Sequence, residues 1–599
     1  MSIPPLQRTY AAAVPELSTP HHADRPPQPQ IVHLNEQLAQ ELGLDVDWLH
    51  SPAGIALLTG QIDADGRSRD PQREPGRASA EPRPAEPGAA VPADTTDAPL
   101  SAAPASATAF TTAQAYAGHQ FGQPAPVLGD GRAVLLGELI DTHGQRQDLH
   151  LKGCGRTPFS RPGSDGKAPL GPMLRELVIG ESLHALGVPT CRILAVLTTG
   201  ERIRPRRGVT PERGALAVRV AASHLRVGTV QYAAWHHGPA VIRAVVDQAI
   251  TRHHPAAAEA DDPSLALLDA VVGAQARLVA KWMLTGFVHG VMNTDNMTLS
   301  GQSIDHGPCA FLDAHRSSAV FSSIDTGGRY AYGAQPQIAL WNLSRLAEAL
   351  LPVIGRPGVD DPATATATRA PGARPQPAPA DGQPPSRDSE PDAQAIERSI
   401  EQATAVLEHF APRYRMAWIQ GMAAKLGLPN PGLDREAADA IEELGLDLLQ
   451  LMETHGLDHT ATFRALADQE QNATADDADA TDANPGRTHA DRDSTGITTP
   501  GGTSALPDVL HGWRERLRAQ RGTGPQADAA RAAMTAVNPV YVPRAAHLDA
   551  ALLAAELGDL APVERLLEAV RSPFSHRPDL ADLELPPPDA PSTVTFCGT

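Results

Sequence analysis

The stretch FVHGVMNTDNMTLSGQSIDHGPCAFLDA, residues 287–314, decides how the rest of the chain is read. It follows SLALLDAVVGAQARLVAKWMLTGF (264–287), which is apolar on nearly every face and so predicts a helix covered on all sides. That helix ends at His289–Gly290, and a polar loop then carries Asn293, Asp295 and Asn296. Asp305 comes ten residues after Asp295, and Asp313 follows the apolar step Phe311–Leu312. Closely spaced Asp and Asn side chains are hard oxygen ligands suited to Mg²⁺ bridging phosphates. One further carboxylate can take the proton of an attacking hydroxyl. Asn and Asp also favour tight turns, so a double turn without chemistry explains the same spacing.

Upstream, AYAGHQFGQPAPVLGDGRAVLLGE (115–138) repeats glycine at Gly118, Gly122, Gly129 and Gly131 in a turn leading into a strand. Glycine lets backbone N–H groups approach phosphate oxygens, and Arg132 adds charge. The spacing is not that of a P-loop, and an ordinary hairpin turn accounts for it equally. Lys152 follows on the next strand in DLHLKGCG, and Glu176 on the following helix in LRELVIGE. A strand lysine held by a helix glutamate is how kinase-like folds aim an ammonium at nucleotide phosphates. An Asp/Asn pair followed by a second Asp, as at Asp295, Asn296 and Asp305, is the layout of the kinase catalytic loop. Asp165–Gly166 makes a second polar turn. Arg219 and Arg226, seven apart, can converge on one anion. His224 between them is read as a packing or hydrogen-bonding residue. The tandems His236–His237 and His253–His254 lack ligand partners at sensible spacing and are read as surface.

The fold class is α+β. Strands are predicted over 133–140, 148–153, 191–200 and 214–221, and helices over 172–187, 264–287, 336–352, 397–469 and 546–570. That is a sheet-rich N-terminal lobe on a helical lobe. Gly 50 and Pro 56 in 599 residues, with 4% aromatics, exceed what a chain folded throughout carries. The excess sits in 62–108, 357–396 and 470–506, which hold almost nothing to bury and are expected to be disordered. A net charge of −20 argues against a nucleic-acid partner, which needs a basic face. Four cysteines without metal spacing indicate the reduced cytosol. The N-terminus has no signal-peptide pattern, and no apolar run is expected to span a bilayer. The expectation is a cytoplasmic protein with no membrane partner.

These motifs, with GRYAYGAQPQIALWNLSRLAEAL (328–350), NPVYVPR (538–544) and TFCGT (595–599), closely resemble the selenoprotein O (YdiU) family. The resemblance covers nearly the whole chain outside the three insertions. It implies a two-lobed protein-kinase-like fold that binds ATP in a flipped orientation and transfers AMP to hydroxyl side chains of proteins; transfer of UMP is also attributed to bacterial members. The segments are then an N-terminal extension packing on the core (1–61), an insertion (62–108), a nucleotide-binding N-lobe (109–230), a catalytic C-lobe (231–356), an insertion (357–396), a helical continuation of the C-lobe (397–469), an insertion (470–506) and a C-terminal helical region with its tail (507–599).

Carried over onto matching positions, the resemblance makes Asp295 the proton acceptor and Asn296 and Asp305 the ligands of Mg²⁺ or Mn²⁺. Gly129, Gly131, Arg132, Lys152, Asp165, Gly166, Arg219, Arg226 and Asp305 become nucleotide contacts, and Glu176 the ion-pair partner of Lys152. The partners implied are ATP (or UTP) and proteins bearing Ser, Thr or Tyr. The alternatives are a kinase-like transfer of the γ-phosphate and a nucleotide-binding pseudokinase without chemistry. The chain departs from the family pattern by one extra residue before Asp165, by Gly171 where arginine is common and by Arg156 where proline is common. Family members are thought to be redox-tuned by a disulfide from the tail to the catalytic region. Here serines in HRSSAVFSSID (315–325) replace the expected partner of Cys597, so no such disulfide is expected.

Overall fold

The computed structural model describes residues 6–62, 111–204, 211–355, 393–430, 432, 434–468 and 509–588. The expected insertions lie outside these residues, except for Ile62, which is buried, and 393–396, which open the helix Ala393–Glu408 ahead of the expected boundary at 397. Cys597 also lies outside; Cys154, Cys191 and Cys309 are buried free thiols.

The protein is mixed α and β around one antiparallel sheet. Its strands are β1 (Ser18–Pro20), β2 (Gln30–Leu34), β3 (Thr112–Gln114), β4 (Ala133–Ile140), β5 (Arg146–Lys152), β6 (Arg192–Ile203) and β7 (Glu212–Ala221). Their spatial order is β1-β3-β4-β5-β7-β6-β2, with Ala168–Pro169 pairing against β7 as an eighth strand. The segment before residue 62 therefore supplies both edge strands as well as packing on the core.

Side chains alternate between the two faces of a strand, and here the alternation positions the site. Leu149 and Leu151 of β5, with Leu216 and Val218 of β7, join a core under the short helices of residues 36–58. His150 and Lys152 must then face the other way, as must Arg219. The register sets Arg219 opposite His150, and Ala217 opposite Lys152. A one-residue slip in either strand would send these cations to the wrong side.

Helix α1 (Leu170–Ala185) covers that second face, and its apolar residues belong to the main core. It ends where Gly187 adopts φ +70. Its N-terminus follows Pro169, which offers no side-chain cap. The missing acceptor comes from far along the chain: Gly171 N donates to Glu556 Oε1 at 3.1 Å. Glu556 lies in α6 (Ala545–Leu557), which with α7 (Ala561–Arg571) packs along α1. Further ties are the pairs Arg175–Asp549 and Arg571–Glu181, the latter at 3.1 Å.

Four more helices complete the surroundings of the site: α2 (Val227–His236), α3 (Pro239–His253), α4 (Pro263–Thr285) and α5 (Gln335–Leu350). Asp262 caps α4 by accepting from Leu265 N at 3.0 Å, and Gly286 ends it at φ +71. By length and composition α4 is apolar enough to cross a membrane, contrary to the expectation that no run is; 61% of its most apolar window is buried inside the protein. A core helix packed on all sides needs apolar residues on all sides.

Two histidine readings change. His253 and His254 are half-buried rather than surface residues: His253 Nε2 lies 2.6 Å from Ser223 Oγ and His254 Nε2 2.9 Å from the Leu299 carbonyl. His236 and His237 are exposed. The fully buried Arg544 bonds both carboxylate oxygens of Asp458 at 2.9 and 3.0 Å, Asp313 at 3.1 Å, and the carbonyls of Leu312 and Glu584.

Candidate active site

After α4 the chain pairs Phe287–Val288 with Ala310–Phe311, and this short hairpin brackets the polar loop 289–309. Buried His289 spans the loop, with Nε2 2.9 Å from the Ile304 carbonyl. Thr294–Asn296 form a single 3₁₀ turn. Asp305 takes φ +60, a left-handed conformation that a non-glycine residue holds only when its surroundings fix it.

Its surroundings do so. The Asp305 carboxylate receives Lys152 Nζ at 2.8 Å and Arg219 at 2.6 Å on Oδ1, and Arg226 at 2.7 Å on Oδ2. Lys152 also donates to Glu176 Oε1 from α1. Three cations thus converge on two carboxylates, leaving the cluster one positive charge in excess. Burial pushes the Asp305 carboxyl up, but Lys152, Arg219 and Arg226 outweigh it and hold the group well below the usual carboxylate range. The carboxylate side chain remains 21% exposed, so the cluster opens to solvent.

Asp295 is the opposite case. Its backbone carbonyl accepts from Arg226 at 2.6 Å, tying it to the cluster, but the carboxylate does not share in that pairing. Oδ2 lies 3.5 Å from Gln120 Nε2, and Oδ1 is buried with no donor among the described residues. A Cβ on Gly118 would come within 2.8 Å of Oδ1, so only glycine permits this close seat. Burial, reinforced by the nearby Asp305 charge and opposed by Arg226, raises the Asp295 carboxyl to about 6. A carboxyl near neutrality with a free oxygen is suited to proton transfer.

The remaining predicted residues flank this centre. Gly129, at φ +88, has the Phe159 ring where a side chain would be, 2.5 Å from a built Cβ, so the turn needs glycine. Gly131 packs on Phe159 and Ser160. The Arg132 carbonyl accepts from Gly153 N at 2.8 Å, joining this turn to the residue after Lys152. Asp165 is exposed and accepts from Lys167 N, while Gly166 packs against Gly155.

Sequence reasoning missed the layer beneath. Asp130, between the two glycines, is buried and bonds His150 Nε2 at 3.0 Å and Gln114 N at 3.0 Å. Burial keeps His150 below its usual range, hence neutral, so its Nε2–H donates to Asp130 and Nδ1 accepts from Arg219 at 3.2 Å. His224 stacks on His150 at 4.1 Å and bonds Asp148 at 3.0 Å, the packing role expected of it. Arg226 lies over the Tyr116 ring at 4.6 Å. The alternation Leu149-His150-Leu151-Lys152 was the available signal for His150, because it puts both polar residues on one face.

Asn296 and Asp305 are the two residues expected to hold a divalent cation. Asn296 Nδ2 donates to the Val291 carbonyl at 3.0 Å, which orients the amide, and its oxygen accepts no hydrogen bond among the described residues. An amide oxygen and a partly exposed carboxylate are hard donors of the kind Mg²⁺ or Mn²⁺ takes. Among the described residues no group of three His, Cys, Asp or Glu side chains forms a closed metal site.

Residues 91–571 match the family model described as protein adenylyltransferase SelO. The chain is 42% identical to the protein nucleotidyltransferase YdiU of Mycolicibacterium smegmatis over 599 aligned residues, covering 99% of this chain and 98% of the relative. It is 43% identical to the YdiU protein of Rhodococcus jostii, covering 99% of this chain and 94% of the relative. The Cereibacter sphaeroides protein of the same name is 42% identical, with 96% and 95% covered.

Proposed function

The chain belongs to the protein adenylyltransferase SelO family, and from that premise we propose that it transfers AMP from ATP to Ser, Thr or Tyr hydroxyls of proteins, releasing pyrophosphate. The observation that carries the residue assignment is the contrast between two aspartates joined through Arg226. Asp305 is held ionised under three cations, while Asp295 is buried with one oxygen free.

In this reading the sheet with α1 is one lobe of a kinase-like fold and the helices after residue 230 the other, with the site between them. The triphosphate takes the place of Asp305 as counter-ion to Lys152, Arg219 and Arg226. Glu176 keeps Lys152 aimed, and Asp130 through His150 keeps Arg219 aimed. The backbone around Gly129, Gly131, Arg132, Asp165 and Gly166 contributes further nucleotide contacts. Asn296 and Asp305 would hold a divalent cation, which when bound offsets triphosphate charge. Asp295 orients the acceptor hydroxyl and takes its proton. The hydroxyl oxygen bonds the α-phosphorus as the bond from that phosphorus to the α,β-bridging oxygen breaks, and pyrophosphate leaves with the electron pair. Preorganised cations facing the developing charge supply most of the rate.

The test is incubation of the purified protein and a lysate with ATP carrying either an α- or a γ-phosphate label. Protein label from the α position only, lost in Asp295→Ala, supports the reading. Label from the γ position would make the protein a phosphotransferase, and label retained by Asp295→Ala would remove that residue as the base. UTP in place of ATP separates UMP from AMP transfer.

A further inference from the structure

Beside Asp295 the surface changes character. Trp341 of α5 carries two guanidinium groups on its ring, Arg329 at 4.7 Å and Arg345 at 5.1 Å from the centroid. Arg329 also lies 5.7 Å over the Tyr330 ring. His119 meets Trp341 edge-on at 5.4 Å and Trp235 at 5.5 Å, and Trp235 is 41% exposed. In a chain of net charge −20, such a basic aromatic shelf is out of keeping with the rest of the composition.

The shelf is fastened to the proposed base. Tyr330 Oη donates to Asn293 Oδ1 at 2.6 Å, His119 N donates to Thr294 Oγ1 at 2.7 Å, and Gln120 reaches Asp295 itself. The Arg329 side chain donates to the Tyr330 hydroxyl, and its buried Nε has no acceptor among the described residues. The nearby Asp325 uses both oxygens on the backbone N–H groups of Arg329 and Tyr330, and among the described residues no carboxylate pairs with the Arg329 guanidinium. Arg345 has one outer pair, with Glu348 at 2.6 Å. A guanidinium already stacked and oriented loses little freedom when it takes a carboxylate, and its fork matches that group.

We propose that this shelf docks the acceptor protein and selects hydroxyls flanked by acidic side chains, with Arg329 as the main specificity-determining residue and Arg345 as the second. The inference rests on the reading that Asp295 serves protein hydroxyls. A carboxylate near the acceptor residue would seat on Arg329 while the hydroxyl reaches Asp295.

The experiment uses the full chain and three fluorescein-labelled peptides with one serine, identical except for Glu, Gln or Lys at the flanking positions. Binding is read by anisotropy, and AMP transfer from α-labelled ATP is read separately. The Glu peptide is expected to bind about tenfold tighter than the Gln peptide and to show the gain in KM rather than kcat. Arg329→Glu should invert the order of Glu and Lys peptides, Arg329→Lys should keep it in weaker form, and Arg345→Glu should reduce it. Equal binding of the three peptides, or an order untouched by Arg329→Glu, overturns the proposal. So does a loss of ATP affinity in Arg329→Glu with the peptide order kept, which would make Arg329 a nucleotide contact. Ordered binding without any label transfer would instead overturn the adenylyltransferase reading and leave the docking surface standing.

Discussion

Replacing Asp295 with asparagine should stabilise the protein while abolishing transfer, and the stabilisation should depend on pH. Asp295 is 8% exposed, and among the described residues its Oδ1 has no donor and its Oδ2 only Gln120 at 3.5 Å. Folding raises this group to about 6, from near 4 in an unfolded chain. A group raised on folding contributes its stability below the unfolded value and loses it as pH rises through the folded one. Below about pH 4 Asp295 is protonated in both states and costs nothing. Above pH 7 it is ionised in both, and the native state bears a penalty of about 3 kcal/mol. Asparagine has the same outline and no charge, so its advantage should be absent near pH 4, grow through pH 5 and 6, and level off above 7 at about that size. Equilibrium urea unfolding of both proteins at a series of pH values measures it directly. An asparagine variant no more stable than the parent at about pH 8, or a gain that ignores pH, refutes the account of a strained base.

Three further outcomes are expected. The acid limb of kcat/KM should fall tenfold per pH unit below about 6; a limb near 4 would mean the base is an ordinary carboxylate. Glu556→Ala removes the acceptor of Gly171 N and of Arg213 N, at 3.1 and 3.3 Å, and should cost about 1–2 kcal/mol. The loss should appear as faster amide exchange over residues 170–176, and unchanged exchange there would show that α1 needs no help from the C-terminal helices. Arg544→Met strands the buried carboxylate of Asp458 and unpairs the partly exposed one of Asp313, so unfolding free energy should drop by about 3–5 kcal/mol in denaturant titration, whereas a change under 1 kcal/mol would deny Arg544 its role.

The long periodic elements were legible. The strand read over 133–140 is Ala133–Ile140, and the helix read over 264–287 is Pro263–Thr285. Helices α2 and α3 escaped, because Gly228, Gly238 and Pro239 punctuate their sequence; Pro239 starts α3 at its first position, where proline is tolerated. Strand β1 has three residues and β2 five, too short for an alternation to register, and only pairing with β3 and β6 makes them strands. His253 read as surface because burial by a distant loop leaves no trace in local periodicity.

Sequence alone determined the family, the fold class and the residue types that carry chemistry, because these are written in motifs of a few residues and in periods of two and 3.6. It placed Lys152 on a strand, Glu176 on a helix and Asp295 and Asp305 in one loop. Tertiary structure decided what those residues are to one another. The register of β5 against β7, the left-handed turn at Asp305 and the seat beside Gly118 make one aspartate a clamped anion and its neighbour a carboxyl that titrates near neutrality. The physical reason is that ionisation depends on burial and on charges within a few ångströms, and those charges come from positions separated by up to 153 residues.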